Sequence, residues 1–232
     1  MKLIKSAVAL ALVALVAGMS PKGALARDEA KTVSQALGAF RAVSGLTKKG
    51  VPPSLFRQVQ GIAIFPGLSK LDFMVSGRAG SGILLVRDGA GNWSSPVFLS
   101  IDGGTLGWQI VGEPLDGLLL FKERSTVDAV LKDRFTMSGQ NVPIPGPLGA
   151  TLKTASAEEL KAGINSYLFF RGAAEDFTLA TAAVQLSGAA NDAYYGAKKV
   201  RAADIISGKL KKPSAEVAAL QKLLADFAAK KE

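Results

Sequence analysis

The stretch Trp93 to Gly112, WSSPVFLSIDGGTLGWQIVG, decides how the chain is read. Two β-rich runs flank Asp102-Gly103-Gly104, and a glycine pair accepts the positive φ values that a tight primed turn requires. With Gly103 and Gly104 as the loop, Ile101 faces Leu106, Leu99 faces Trp108 and Val97 faces Ile110, so one face of the hairpin is wholly apolar. Ser100, Gly107, Phe98 and Gln109 fall on the other face. A three-residue loop would set Leu99 against Gly107 and scatter the apolar set, which favours the two-residue turn. The expectation is a half-buried antiparallel sheet with one apolar face, covered by helices or by a second sheet. On this register Leu99→Asp breaks the core and Ser100→Asp is far milder.

Before the hairpin, Arg27 to Lys49 is expected to form a helix, with Ala30, Val33, Leu37 and Phe40 on one stripe, stopped by Gly50 and Pro52-Pro53. That stripe fits either a core-covering helix or an amphipathic membrane element. A short helix at about Ser54 to Gln60 leads into a strand, Gly61 to Pro66, and Leu71 to Ser76 and Ile83 to Arg87 have the composition of further strands. Between these two, Gly77, Gly80 and Gly82 resemble a phosphate cradle only superficially. Such a cradle needs a helix N-terminus after the glycines, and here Ile83-Leu84-Leu85-Val86 continues as strand, so a turn, bulge or close strand approach is expected. Asp88 to Asn92 is a further turn.

After the hairpin come a strand at Leu115 to Phe121 and a helix opened by Ser125-Thr126-Val127-Asp128 and running to about Asp133. The proline-rich run Val142 to Gly149 cannot be a central strand. A short helix from Ser156 to about Ala162 and strands at Ile164 to Arg171 and Phe177 to Leu186 follow, then a loop around Asn191 and Tyr194-Tyr195-Gly196. The last helix starts at Ser214, after Pro213, with Val217, Leu220, Leu224 and Phe227 on one stripe. The fold class is therefore α+β: an antiparallel twisted or barrel-like sheet from about Gly61 to Leu186, covered by N- and C-terminal helices.

Composition narrows function. The first residues carry a basic segment with Lys2 and Lys5, an apolar run from Ala7 to Ala17 and the small-x-small triplet Ala24-Leu25-Ala26, the pattern of a cleaved secretory signal peptide. The expected product is a periplasmic or secreted chain starting at Arg27, with residues 1–26 removed and residues 27–232 forming a single domain. Its 232-residue precursor has a net charge of +9, which falls by three to +6 once Lys2, Lys5 and Lys22 are gone. There is no cysteine, hence no disulfide, and no histidine. The missing histidine removes the usual general base, the common nucleophile systems and the commonest metal ligand. Glu175 and Asp176 are adjacent, so their side chains diverge and form no catalytic dyad. No enzyme activity, cofactor or metal is expected.

In order along the chain stand Gly61 to Pro66 with Lys70, glycines 77, 80 and 82, Trp93-Ser94-Ser95-Pro96, and Gly103-Gly104-Thr105-Leu106-Gly107-Trp108-Gln109-Ile110. Asp116, Gly146-Pro147-Leu148-Gly149, Ser166-Tyr167, Tyr194-Tyr195-Gly196 and Asp204-Ile205-Ile206-Ser207-Gly208 complete the set. This ordered set resembles the SYLF domain from about Gly61 to Lys209. The resemblance implies a lipid-binding module of exported bacterial proteins and of eukaryotic membrane traffic, where phosphoinositides, an N-terminal amphipathic segment and in some members actin are involved. One departure follows Ser166-Tyr167: the family's Gly-Leu-Phe-Ala-Gly-like run is replaced by Gly172-Ala173-Ala174-Glu175-Asp176.

The candidate lipid-binding residues are Lys198, Lys199, Arg201, Lys209, Lys211 and Lys212, the densest basic stretch, interrupted only by Asp204. Near an anionic surface each such charge contributes about 1 kcal/mol, less as salt rises. A solvated face before the terminal helix is the alternative. Trp93, Trp108, Tyr194 and Tyr195 could form an interfacial aromatic belt, although Trp108 on the apolar face favours core packing. The expected partner is an anionic phospholipid membrane surface, not nucleic acid. The competing reading is an envelope scaffold that binds another protein through a sheet edge or apolar groove.

Overall fold

The computed structural model describes residues 21–44, 51–68, 78–102, 115–132, 134–137, 144–145, 163–169 and 182–230. Strands β1 (Gly61–Leu68), β2 (Arg78–Val86), β3 (Val97–Asp102), β4 (Leu115–Phe121), β5 (Phe135–Thr136), β6 (Ile144–Pro145), β7 (Ile164–Phe169) and β8 (Ala183–Leu186) make one sheet. Their spatial order is β5-β8-β3-β2-β1-β4-β7-β6. The sheet is curled, and its pairings are antiparallel except that β6 runs parallel to β7. The proline-containing β6 thus occupies an outer edge, where a missing N–H is tolerated.

The sheet is apolar on both faces. Ile62, Ile64, Ile83, Leu85, Phe98, Leu118 and Leu120 belong to one buried cluster; Ala63, Phe65, Leu84, Val86, Val97, Leu99, Leu119 and Phe121 belong to the other. The alternation is the two-residue period of a strand, and continuous runs such as Ile83-Leu84-Leu85-Val86 supply both layers. Helices α1 (Pro21–Ser44), α2 (Pro53–Phe56), α4 (Gly188–Tyr195) and α6 (Ala215–Ala229) supply partners for the first cluster. Phe56 contacts both Phe40 and Phe227, with ring centroids 5.7 and 5.1 Å apart, so the N- and C-terminal helices close on one aromatic nucleus. On the second face lie α3 (Arg124–Lys132), through Val127 and Val130, and α5 (Ala202–Ile206), through Ile205.

Several expectations are corrected. Strand β3 pairs with β2 on one side, where Leu99 opposes Gly82, and with β8 on the other, where Leu99 opposes Leu186. Both edges at Leu99 and Ile101 are therefore filled, and the expected partnering with Leu106 and Trp108 has no edge to use; Leu106 to Ile110 lie outside the described residues. Nor is the sheet half-buried. Phe98 and Ser100 are 1% and 2% exposed, against 0% for Leu99, so Ser100→Asp places a charge in the interior as surely as Leu99→Asp does.

Residues around Asn191 and Tyr194 form helix α4 rather than a loop, ended by Gly196 at φ 68° in the left-handed region that suits glycine. Helix α1 starts at Pro21, ahead of Arg27. Val33, Leu37 and Phe40 of its stripe are buried in the core while Ala30 is exposed, so the stripe is used in packing. Of the expected Phe177 to Leu186 strand, Ala183–Leu186 is strand and 177–181 lie outside the described residues; so do Leu71 to Ser76 and the Ser156 helix.

Of the glycine cluster, Gly80 and Gly82 lie within β2, with a bulge and a close strand approach rather than a turn, and Gly77 lies outside the described residues. The β2 register shifts between Arg78 and Gly80, and a Cβ on Gly82 would stand 2.5 Å from the Ile64 carbonyl oxygen. No helix among the described residues is long and apolar enough to cross a membrane.

Candidate functional site

The six candidate cations sit on one connected segment between α4 and α6, and all are exposed. Its shape is set by Ile205, which anchors it to the second core cluster with Val200 and Leu210 packed alongside, and by two acidic side chains. Asp192 in α4 accepts from the Val200 and Lys199 backbone N–H groups at 2.8 and 2.9 Å, and these bonds hold its carboxyl below the usual range. They also hold Lys199 at φ 57°, a left-handed conformation uncommon outside glycine and asparagine. Farther on, Arg201 grips Asp204 with two bonds of 2.8 and 2.9 Å, and this guanidinium depresses the Asp204 pKa.

The structure therefore divides the basic residues. Arg201 is neutralised by its neighbour. Lys212 is anchored: its Nζ donates to the Tyr194 carbonyl at 2.7 Å and lies 4.5 Å from the Tyr194 ring centroid. Lys198, Lys199, Lys209 and Lys211 have no carboxylate among the described residues within ion-pairing distance.

Lys211 and Lys212 also border a cleft of about 490 Å³. One wall is the Asp88 to Ser95 turn, the floor is the first turns of α6, and the far wall is the end of α5 with the chain to Pro213. Gln221 of α6 ties the floor to the wall, its Nε2 donating to the Trp93 and Ser94 carbonyls, each at 3.0 Å. The turn is rigid because Asp88 Oδ1 accepts from the Ala90 and Asn92 N–H groups at 2.9 and 2.8 Å, while Oδ2 accepts from Asn92 Nδ2 at 3.1 Å. The Asn92 bonds push the Asp88 pKa down. Ser94 bridges into β2, where Val86 N–H donates to its Oγ at 3.0 Å.

The aromatic residues serve packing and tethering. Trp93 and Tyr194 are buried, Tyr195 is half-buried with its hydroxyl donating to the Pro96 carbonyl at 2.7 Å, and Trp108 lies outside the described residues. Burial raises the Tyr195 pKa. Among the described residues no three acidic side chains converge as a metal site would require. Glu175 and Asp176 lie outside the described residues. Sequence reasoning found Lys211 and Lys212 but not the cleft. Asp88 and Gln221 meet there from positions far apart in the chain, and only the Trp93 to Pro96 landmark hinted at that wall.

Comparison with known proteins agrees with the landmarks. Residues 102–227 match the family model Ysc84, described as Las17-binding protein actin regulator. SH3 domain-containing YSC84-like protein 1 of Xenopus laevis is 29% identical over 209 residues, 89% of this chain and 62% of that protein. The Homo sapiens protein of the same name is 28% identical over 89% of this chain and 60% of its own length. LAS seventeen-binding protein 3 of Saccharomyces cerevisiae is 28% identical over 168 residues, 71% of this chain and 36% of that protein. The chain thus spans less than two thirds of the length of these relatives. With more than half of its residues matched by the family model, and with the ordered glycine, tryptophan and tyrosine landmarks in place, the chain belongs to the Ysc84 (SYLF) family.

Proposed function

We propose that this chain is a non-enzymatic exported protein that docks on an anionic phospholipid surface through the segment from Lys198 to Lys212. The observation that carries this reading is the charge distribution: six exposed cations on one segment, with Asp204 as its only acid and Arg201 as that acid's partner. Folding the remaining lysines against a membrane would contribute about 1 kcal/mol each at low salt, a sum that screening erodes. Membership of a family whose domain binds lipid supports the same reading. Export rests on the signal-peptide pattern, so the intact mass of the exported protein should begin at Arg27.

The test is co-sedimentation of the exported chain with vesicles. Phosphatidylglycerol or cardiolipin vesicles should carry it down at low salt, phosphatidylcholine vesicles should not, and salt near 1 M should release it as the Debye length shrinks to about 3 Å. Reversing Lys198, Lys199 and Lys209 to Glu should abolish pelleting and leave the circular dichroism spectrum unchanged, because all three side chains are exposed. Failure of the native chain to bind any anionic vesicle at low salt would reject the reading.

That result would advance a second one, an envelope adaptor for another protein. The names of the family model and of the yeast relative, both of which refer to Las17 binding, favour it. Among the described residues the outermost strands β5 and β6 have two residues each, which offers little edge for strand addition by such a partner.

A further inference from the structure

We propose that the cleft beside Lys211 and Lys212 is a binding site for a phosphate ester. The local charges point to an anion. Among the described residues three charged side chains line the cleft, and the one acid of these, Asp88, has both carboxylate oxygens committed to its own turn. Lys212 is anchored without being consumed, and Lys211 lies beside it with no acidic partner among the described residues. The Lys211 stem lies so close over Gly208 that a Cβ there would be 2.8 Å from Lys211 Cε, and Lys212 spends one of its three N–H donors on the Tyr194 carbonyl. Two ammonium groups from adjacent residues, each with donors to spare, match a group that spreads its charge over several oxygens.

The other polar side chains argue for binding rather than chemistry. Ser94, Ser207 and Ser214 each have their hydroxyl engaged, the last as the N-cap of α6 accepting from Val217 N–H at 3.1 Å. The fourth serine of the lining, Ser95, hydrogen-bonds the Tyr195 hydroxyl, and the chain has no imidazole to serve as a base. Trp93, Pro213 and Val217 add apolar lining that suits the organic part of an ester, and the size falls within the range of small-ligand sites, about 300–1,000 Å³. The inference rests on the membrane reading only for one source of the phosphate, a phospholipid headgroup. A soluble phosphate ester presents the same chemistry.

Amide and indole NMR shifts of the exported chain test the site, with glycerol 3-phosphate as the soluble probe and monomeric dihexanoyl phosphatidylglycerol as the lipid probe. Saturable shifts are expected at the Trp93 indole and at the Gly208, Lys211 and Gln221 amides. Lys211→Gln removes one charged hydrogen bond and should weaken binding about tenfold. Ala218→Phe, at an exposed position on the cleft floor, should block it without altering charge or the circular dichroism spectrum.

Binding of the lipid probe at these resonances, displaced by glycerol 3-phosphate, identifies a headgroup site; binding of glycerol 3-phosphate alone identifies a soluble phosphate ester. Absence of saturable shifts with either probe, or affinity unchanged in both variants, overturns the proposal. The vesicle experiment fails or succeeds separately, since its Lys198, Lys199 and Lys209 reversals lie outside the cleft lining. Cleft binding lost with pelleting intact sinks the site and leaves the membrane reading standing. Pelleting absent with cleft binding intact does the reverse.

Discussion

Asn191 continues the sheet where strand β8 stops. Beyond Leu186 the Phe98 N–H on the β3 edge has no strand partner, but Asn191 Oδ1 accepts from it at 2.9 Å and Asn191 Nδ2 donates to the Phe98 and Ser187 carbonyls at 3.1 and 2.9 Å. The side chain is 3% exposed, so water cannot take its place. Asn191→Ala leaves Phe98 N–H unpaired in the interior, a loss of about 1–3 kcal/mol. The Phe98 carbonyl keeps its bond from Ser187 N–H at 3.0 Å, while the Ser187 carbonyl loses one donor and a small void opens. The total should be about 2–4 kcal/mol, a fall in Tm of about 5–15 °C for a chain of this size.

Asn191→Asp separates the hydrogen-bond account from a packing account, because shape is kept while the donor becomes a carboxylate oxygen against two carbonyls. Burial and those carbonyls raise its folded pKa above the unfolded value of about 3.9. A raised acid is most stable in the fold when protonated, so the variant should approach wild-type stability below that pH and lose it as pH rises through the folded pKa. Urea denaturation followed by circular dichroism at pH 4 and pH 7 measures both. An Ala variant within about 0.5 kcal/mol of wild type, the range of an inert surface change, would refute the reasoning, as would a pH-independent Asp variant.

Two further outcomes are expected besides the vesicle and cleft experiments. Gly82→Ala should cost about 1–3 kcal/mol or more in urea denaturation, because the new methyl meets the Ile64 carbonyl, which belongs to paired backbone and cannot yield; Gly89→Ala, with nothing within 4 Å, should be nearly neutral. Asp192, its pKa lowered by the Val200 and Lys199 N–H bonds, adds stability that is present above its unfolded pKa and lost as pH falls through the folded one. The protection of the Lys199 and Val200 amides, measured against their intrinsic exchange rates at each pH, should therefore fall on acidification from about pH 4, and Asp192→Asn should remove that pH dependence.

Local chemistry explains which elements were legible. Helix α6 was visible from Ser214 as cap and from a stripe of Val217, Leu220, Leu224 and Phe227, all buried in the fold. Strand β4 was visible because Leu115 to Phe121 is an apolar run between turn residues. Helix α4 is not legible in the sequence, because its glycine and alanine opening has no side-chain cap and its one terminal signal, Gly196, marks a turn as readily as a helix end. The two-faced burial of the sheet was present in the runs Ile62 to Phe65 and Ile83 to Val86, yet the alternation expected of the hairpin drew attention to a single face.

By itself the sequence determined the α+β class, the two terminal helices, the candidate lysines and, through the ordered landmarks, the family. These depend on patterns a few residues long, namely caps, stripes, turn glycines and spacing. Tertiary structure alone decided that β3 lies between β2 and β8, that Phe98 and Ser100 are interior, that Lys212 is tethered to Tyr194, and that Asp88, Trp93, Gln221 and Lys211 share one cleft. Strand neighbours and cleft walls are chosen by the joint burial of faces from distant segments. No local periodicity encodes which of several equally apolar edges will meet.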